Sequence, residues 1–527
     1  MLRRNVAQQG DRACPWSPMS EHLQPASPET AENALHHGRL GVIGIVFFVV
    51  AAAAPLLGMT GAVPVAIVVG NGAAAPGAYL AIGLVLLLFS VGFSAMGRHI
   101  TNAGAFFAYV GRGMGIAPGV GSAFVSLVAY IAIQLAIFGF FGAIVSGTVD
   151  STFGVNAPWY VWTIAAWVLV TALSLASVDV GAKVLGTLMT LELLSLVLTF
   201  VAVLAHGGGP EGFQLGASFS PGNIFVGGLT GASGIAFAFA FASYIGFEAT
   251  AIYGEEAKDP HRTVPIATYV AIGTITAIFA VTSWAIVSGL GASHVVDQSV
   301  ALSTVDKVPL ANPAAVIYEV ATKYVGSWLA TAMSWLVVSS SFAGLLAFQN
   351  SAARYFYALG RAGVLPRRLD RVNRQGAPVA ASLTTSVITI LVILLFVVRN
   401  LDPVVNMFMW FSGMTVVAIV WVEVLVCVSV VIFFARTKLD RRPWNTVIAP
   451  IGAAVLLLLG EYLLTSRFGL LAGTVAEGVD PTQHAWGLNF TGWVLVTLPF
   501  VLFVVGTLIG SIRQGDENAD AVADLLH

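Results

Sequence analysis

Four acidic residues lie inside long apolar runs: Glu192, Glu248, Glu423 and Glu461. A carboxyl in such surroundings is costly to keep and is a functional candidate by default. Glu192 sits in Leu-Met-Thr-Leu-Glu-Leu-Leu-Ser-Leu. A carboxyl there could bind and release a proton, or hydrogen-bond a neighbouring helix. A later apolar run carries three adjacent hydroxyls, Ser339, Ser340 and Ser341. Hydroxyl oxygens can ligate a hard cation; they can also bond back to their own helix or ease close packing. A third polar group interrupts a run, the Ser243-Tyr244-Ile245-Gly246 segment followed by Phe247-Glu248. A lipid-facing helix has no use for it, whereas a buried or water-lined break does. The chemistry on offer is ion binding and ligand coordination rather than bond cleavage. The sequence has no H-E-x-x-H, G-x-S-x-G or Cys/His cluster and no G-x-x-x-x-G-K-[ST] phosphate loop. An enzyme or a primary pump is therefore disfavoured, and no cofactor or metal is expected.

The elements that hold these residues are membrane helices. Of 527 residues, 57% are hydrophobic and only 9% charged, with a mean hydropathy of +0.87. Soluble globular chains do not have that balance. Twelve spans are expected, near 41–69, 78–97, 118–147, 158–176, 180–205, 231–254, 264–288, 327–352, 378–398, 404–434, 446–465 and 487–511. If the first 39 residues are a disordered cytoplasmic tail and the spans alternate, twenty of the 24 Lys and Arg fall inside. Only Lys307, Lys323, Arg399 and Arg467 fall outside. That asymmetry predicts cytoplasmic termini, including a short tail at 512–527. No basic stripe with interleaved aromatics suggests nucleic acid. The two cysteines, Cys14 and Cys427, are not expected to pair. Residues 98–116 read as an interfacial helix, and 314–324 as a helix in the long outside loop, either an ordinary surface segment or a thin gate.

Spans one and six are both interrupted. Span one carries Pro55, Gly58, Thr60, Gly61 and Pro64 in its middle, which predicts an unwound centre, with a kinked continuous helix as the alternative. The two interruptions lie five spans apart. Interrupted segments at matching positions in two halves point to an inverted-repeat carrier. Free N–H groups at one break favour an anion and free carbonyls at the other a cation. A zwitterionic amino acid carries both.

Three motifs in this order then carry a resemblance. Residues 241–265, FASYIGFEATAIYGEEAKDPHRTVP, resemble the sixth-helix signature of the amino acid–polyamine–organocation permeases. Asn102-Ala103-Gly104-Ala105-Phe106-Phe107-Ala108-Tyr109 resembles their segment before helix three, and 358–366, ALGRAGVLP, their loop after helix eight. The resemblance implies an all-α membrane protein with a five-plus-five inverted repeat (about 40–206 and 230–435) and two extra helices (446–511). It implies alternating access and secondary, usually proton-coupled, transport of a small-molecule substrate, an amino acid or an amine, across the plasma membrane bilayer. Carried onto this chain, Met59, Thr60 and Gly61 would offer N–H groups to a carboxylate, with Phe241, Ala242 and Ile245 carbonyls for the ammonium. Ser243 lies among them. Tyr244 or Phe241 would close over the ligand. By the same resemblance, Glu192 stands where several members carry a coupling lysine. In that architecture Ser340 and Ser341 face helices one and five and could bind sodium in place of a proton. Glu248, Glu255, Glu256 and Arg262 are expected to couple conformational states, the last three through ion pairs. Glu423 and Glu461 receive no role.

Overall fold

A computed structural model of the chain describes residues 41–100, 106–176, 182–248, 250, 257–373 and 377–513. The protein is an all-α membrane protein, and each of the twelve expected runs contains helix. Among the described residues, nine stretches are long and apolar enough to cross a membrane, or ten if a pair bent by 115° at 221–244 is one span. The expected first and second spans share one of these stretches, Pro55–Gly97, and the expected fourth, Trp159–Leu175, is a shorter apolar helix.

Span one divides into α1 (Val42–Ala53) and α2 (Pro55–Val65). A residue before proline is pushed out of the helical region, and Ala54 sits at φ 42°, ψ 66°. Proline suits a first helical turn, so α2 begins at once. Pro64 lies inside α2, and the coil widens to a π-helical turn over Ala66–Asn71. The chain turns at Gly72 (φ 61°) into α3 (Ala75–Gly97). The buried α4 (Phe106–Met114) follows. Its apolar side packs against the tenth span, where Arg436 donates to the Gly113 carbonyl at 3.3 Å, while Arg112 is exposed. Then come α5 (Ile116–Phe153), α6 (Trp159–Leu175) and α7 (Ala182–Ala205). The sixth span opens as α8 (Ser233–Tyr244) and the seventh is α9 (Pro260–Leu290). The loop between the seventh and eighth spans holds α10 (Val295–Ser303) and α11 (Ala315–Tyr324), the second matching the expected 314–324. Spans eight to twelve are α12 (Ser327–Arg361), α13 (Val379–Val398), α14 (Met409–Thr437), α15 (Ala449–Ser466) and α16 (Phe490–Arg513).

Two kinds of force arrange these helices. Stripes such as Leu191, Leu194, Val197 and Val201 on α7 are about half exposed, which suits lipid contact. Inside, hydrogen bonds fasten α5, α6, α12 and α13 together. Gln134 donates to Gln349 at 2.8 Å, and Gln349 donates to the Ser386 hydroxyl at 2.9 Å and the Ser382 carbonyl at 3.0 Å. Thr171 and Ser386 share a bond at 2.9 Å, and Ser174 donates to Asn350 at 2.8 Å. With no water to take their place, such bonds resist separation of the four helices. Helix α2 packs across this group and the rest, touching α7, α8, α9 and α12.

Candidate functional site

The two interruptions meet. Helix α8 ends in a tight turn, with Ile245 N–H donating to the Ala242 carbonyl and Phe247 N–H to the Tyr244 carbonyl. The carbonyls of Phe241 and Ser243 thereby lose their usual i+4 donors. Gly246 then takes φ 111°, a conformation L-residues rarely adopt. A Cβ on Gly246 would lie 3.1 Å from Ala52 Cβ and 3.6 Å from Ala53 N. The bend of the sixth span thus rests on the bend of the first.

The interruption of span one falls earlier than expected. It is the Ala54-Pro55 step, and Gly58 already donates to the Ala54 carbonyl at 3.1 Å. Pro55 has no N–H, so Leu56 and Leu57 carry the first-turn amides without a helical acceptor. Met59, Thr60 and Gly61 are one turn further in, inside regular helix. The Thr60 hydroxyl bonds back to the Leu56 carbonyl at 2.8 Å. Gly61 has a different part: a Cβ there would lie 3.0 Å from Phe408 Cζ and 3.3 Å from Phe140 Cζ.

Between the bends lies a cavity of about 50 Å³. Ala52, Ala53, Ala54, Leu57 and Gly58 line it from span one, and Ala242, Ser243 and Ile245 from span six. The opposite wall is Ile133, Ile137, Phe348 and Phe408, with Phe239 beside them. Phe408 packs against Phe140 (centroids 5.0 Å apart) and Phe239 (6.1 Å).

The other expected residues distribute as follows. The Tyr244 hydroxyl lies 2.9 Å from both the Tyr79 carbonyl and the Thr276 hydroxyl, with its one proton to donate between them, so its ring faces α3 and α9. Phe241 and Tyr244 line a second space with Glu423, behind the bend and too narrow for a water molecule. The aromatic groups on the cavity are Phe239, Phe348 and Phe408 instead. Glu248 is buried at the bend, where its Oε2 accepts Gly246 N–H at 2.8 Å. Its Oε1 accepts the Tyr130 hydroxyl from α5 at 3.0 Å. Glu192 and Ser340 come together: the Ser340 hydroxyl donates to Glu192 Oε2 at 2.9 Å, joining spans five and eight. The Ser341 hydroxyl donates to the Val337 carbonyl of its own helix at 2.7 Å. Arg262 is exposed at the start of α9, while Glu255 and Glu256 lie outside the described residues, as does the Asn102–Ala105 turn. Glu461 has neither carboxyl oxygen hydrogen-bonded, and Glu423 leaves Oε2 without a partner. Among the described residues no three His, Cys, Asp or Glu side chains converge as metal ligands would.

Sequence reasoning missed Tyr130 and the Phe348–Phe408 wall, which come from distant spans and carry no local mark. It had a signal for the true break, since the proline after Ala54 disfavours helical backbone there.

The chain is similar to several carriers. It is 22% identical to the histidine permease of Lactococcus lactis over 454 residues, covering 81% of this chain and 85% of that protein. It is 24% identical to a probable threonine/serine transporter of Bacillus subtilis over 344 residues, covering 61% and 68%. An uncharacterized transporter of Mycobacterium tuberculosis is 29% identical over 224 residues, 41% of this chain and 45% of the relative. The match to that relative thus spans less than half its length. The profile of the amino acid permease family matches residues 40–498. An all-helical membrane chain whose first and sixth spans break against each other, matched over nearly all its spans, belongs to the amino acid permease family, a family of transporters rather than enzymes.

Proposed function

We propose that this protein is a secondary carrier that moves an amino acid across the plasma membrane by alternating access, with both termini cytoplasmic. The observation that carries the reading is the contact of the two bends, Gly246 against Ala52, beside a cavity lined from both. The start of α2 would hold the substrate carboxylate. Its donors would be the Leu56 and Leu57 amides, with Met59, Thr60 and Gly61 as the expected alternatives one turn deeper. The end of α8 would hold the ammonium on the carbonyls of Phe241, Ala242 and Ile245; Ala242 already accepts one N–H but keeps a second lone pair. Binding both ends of a zwitterion pulls the two bends toward one geometry. Two spans interrupted five apart fit a five-plus-five repeat whose halves rock about that point.

Glu192 and Ser340 supply the coupling step. Their hydrogen bond joins α7 to α12, beside α2. A proton, or a sodium ion ligated by the same oxygens and Ser341, would change the bond that links these helices. Glu248 transmits the state of the bend to α5 through Tyr130. The test is uptake of labelled amino acids into proteoliposomes under an imposed pH gradient or an imposed sodium gradient. Uptake driven by the pH gradient and lost in Glu192→Gln supports proton coupling. Sodium-driven uptake reassigns the ion, and conductance without substrate exchange refutes the carrier.

A further inference from the structure

The side-chain wall of the cavity is apolar, and it restricts what can enter. We propose that the substrate is a neutral amino acid with an apolar side chain, an inference that rests on the permease reading above. Ile133 and Ile137 form the α5 face, Phe348 the α12 face and Phe408 the α14 approach. No Asp, Glu, Lys, Arg or His among the described residues lines the space. The polar side chains on it are two serines, and the Ser243 hydroxyl is already donated to the Phe239 carbonyl at 2.8 Å.

A second charge on the substrate would therefore be buried without a counter-ion. None of the buried acids Glu192, Glu248, Glu423 and Glu461 lines the cavity. Glu248 accepts from Gly246 and Tyr130, Glu192 accepts from Ser340, and neither carboxyl is on the cavity wall. An uncompensated charge in a low-dielectric site costs more than a hydrogen bond can return. A diamine or a basic or acidic amino acid would meet that cost in full, while an aliphatic side chain would be matched by the two isoleucines and two phenylalanines. The small residues Ala53, Ala54 and Gly58 fall on the other side, where the substrate backbone would lie. Apolar contact without charge gives little discrimination among aliphatic side chains differing by one methylene, on the order of 10–200-fold. Rejection of charged analogues is expected to be larger.

The experiment is counterflow in proteoliposomes preloaded with unlabelled L-alanine, L-valine, L-leucine, L-histidine, L-lysine, L-glutamate or putrescine, with the same compounds labelled outside. Exchange of alanine, valine or leucine, with lysine, glutamate and putrescine at least 100-fold poorer, is the expected result. Exchange confined to a charged compound overturns this inference and leaves the carrier standing. Exchange of none of them overturns the permease reading itself. Phe408→Leu, a conservative change on the wall, should alter the ranking among apolar side chains by several-fold while lysine stays excluded. An unchanged ranking would mean that this wall does not meet the side chain. Ile137→Asp places a carboxylate there and should improve lysine relative to leucine at least 10-fold. If that variant does not fold, the Phe408→Leu ranking and the wild-type series still decide the matter.

Discussion

The contact between the two bends makes a quantitative prediction at Gly246. Its φ of 111° is one an L-residue rarely adopts, and holding a residue there costs roughly 1–3 kcal/mol. The methyl group of Gly246→Ala would also sit 3.1 Å from Ala52 Cβ, a methyl fixed directly on backbone and unable to rotate away. Relieving such overpacking adds about 1 kcal/mol. The two terms together come to about 2–4 kcal/mol, and with about 1.4 kcal/mol per tenfold change the bent state is disfavoured about 30-fold or more. If every conformation of the transport cycle keeps the bend, the cost appears as lower stability. If only some do, it appears as lower flux. Both are read on one preparation, by thermal unfolding in detergent and by initial counterflow rates in proteoliposomes. Gly273→Ala is the control: it lies in α9, where a Cβ would meet nothing within 4 Å, so it should leave flux unchanged and raise rather than lower the melting temperature, by no more than about 1 kcal/mol of stability. Wild-type melting and wild-type flux in Gly246→Ala would refute the reasoning that the two bends are held in register by that glycine.

Ser340→Ala removes the hydrogen-bond donor to the buried Glu192 and should cost about 1–3 kcal/mol of stability, seen as a lower melting temperature, and should alter the pH profile of uptake; an unchanged profile would remove Ser340 from the coupling step. Tyr130→Phe deletes the hydroxyl that Glu248 accepts and should slow counterflow without abolishing folding, while equal rates would deny the link from the bend to α5. Neither carboxyl oxygen of Glu461 has a hydrogen-bond partner, so Glu461→Leu should be neutral or raise the melting temperature; a sharp fall would reveal a partner this conformation does not show. Glu211, in the loop after α7, accepts from both the hydroxyl and the N–H of Ser293, in the loop after α9; these bonds hold its carboxyl below the usual range, with His294 3.9 Å away. A depressed carboxyl pKa stabilises the folded loops above the unfolded value and loses that contribution as pH falls through the folded one. Limited proteolysis between 205 and 295 should therefore accelerate at acid pH in the wild type and be less pH-dependent in Ser293→Ala.

The fold was legible in sequence because a bilayer forces each spanning segment to satisfy its own backbone. Long apolar runs then read directly as helices, and their charge-bearing ends set the expected orientation. The meeting of spans one and six was legible in outline for the same reason, since Pro and Gly within such runs have to be accommodated by a neighbour. Its register was less so. Five helix-weakening residues between Pro55 and Pro64 suggested an unwound centre, but α2 keeps Met59, Thr60 and Gly61 helical; the chain breaks at the Ala54-Pro55 step and widens only after Pro64, over Ala66–Asn71. The pairing of Glu192 with Ser340 and of Glu248 with Tyr130 depends on helices 148 and 118 residues apart lying side by side. Tyr244 turned from the cavity toward Tyr79 and Thr276 because its buried hydroxyl finds partners there.

Sequence by itself determined that this is a helical membrane chain with two interrupted spans and a few acids that need partners, because hydropathy, proline and charge act locally along the chain. Tertiary structure alone decided which side chains face the cavity and which acids are already occupied, because rotation of one helix against its neighbours is fixed by packing between residues far apart in sequence.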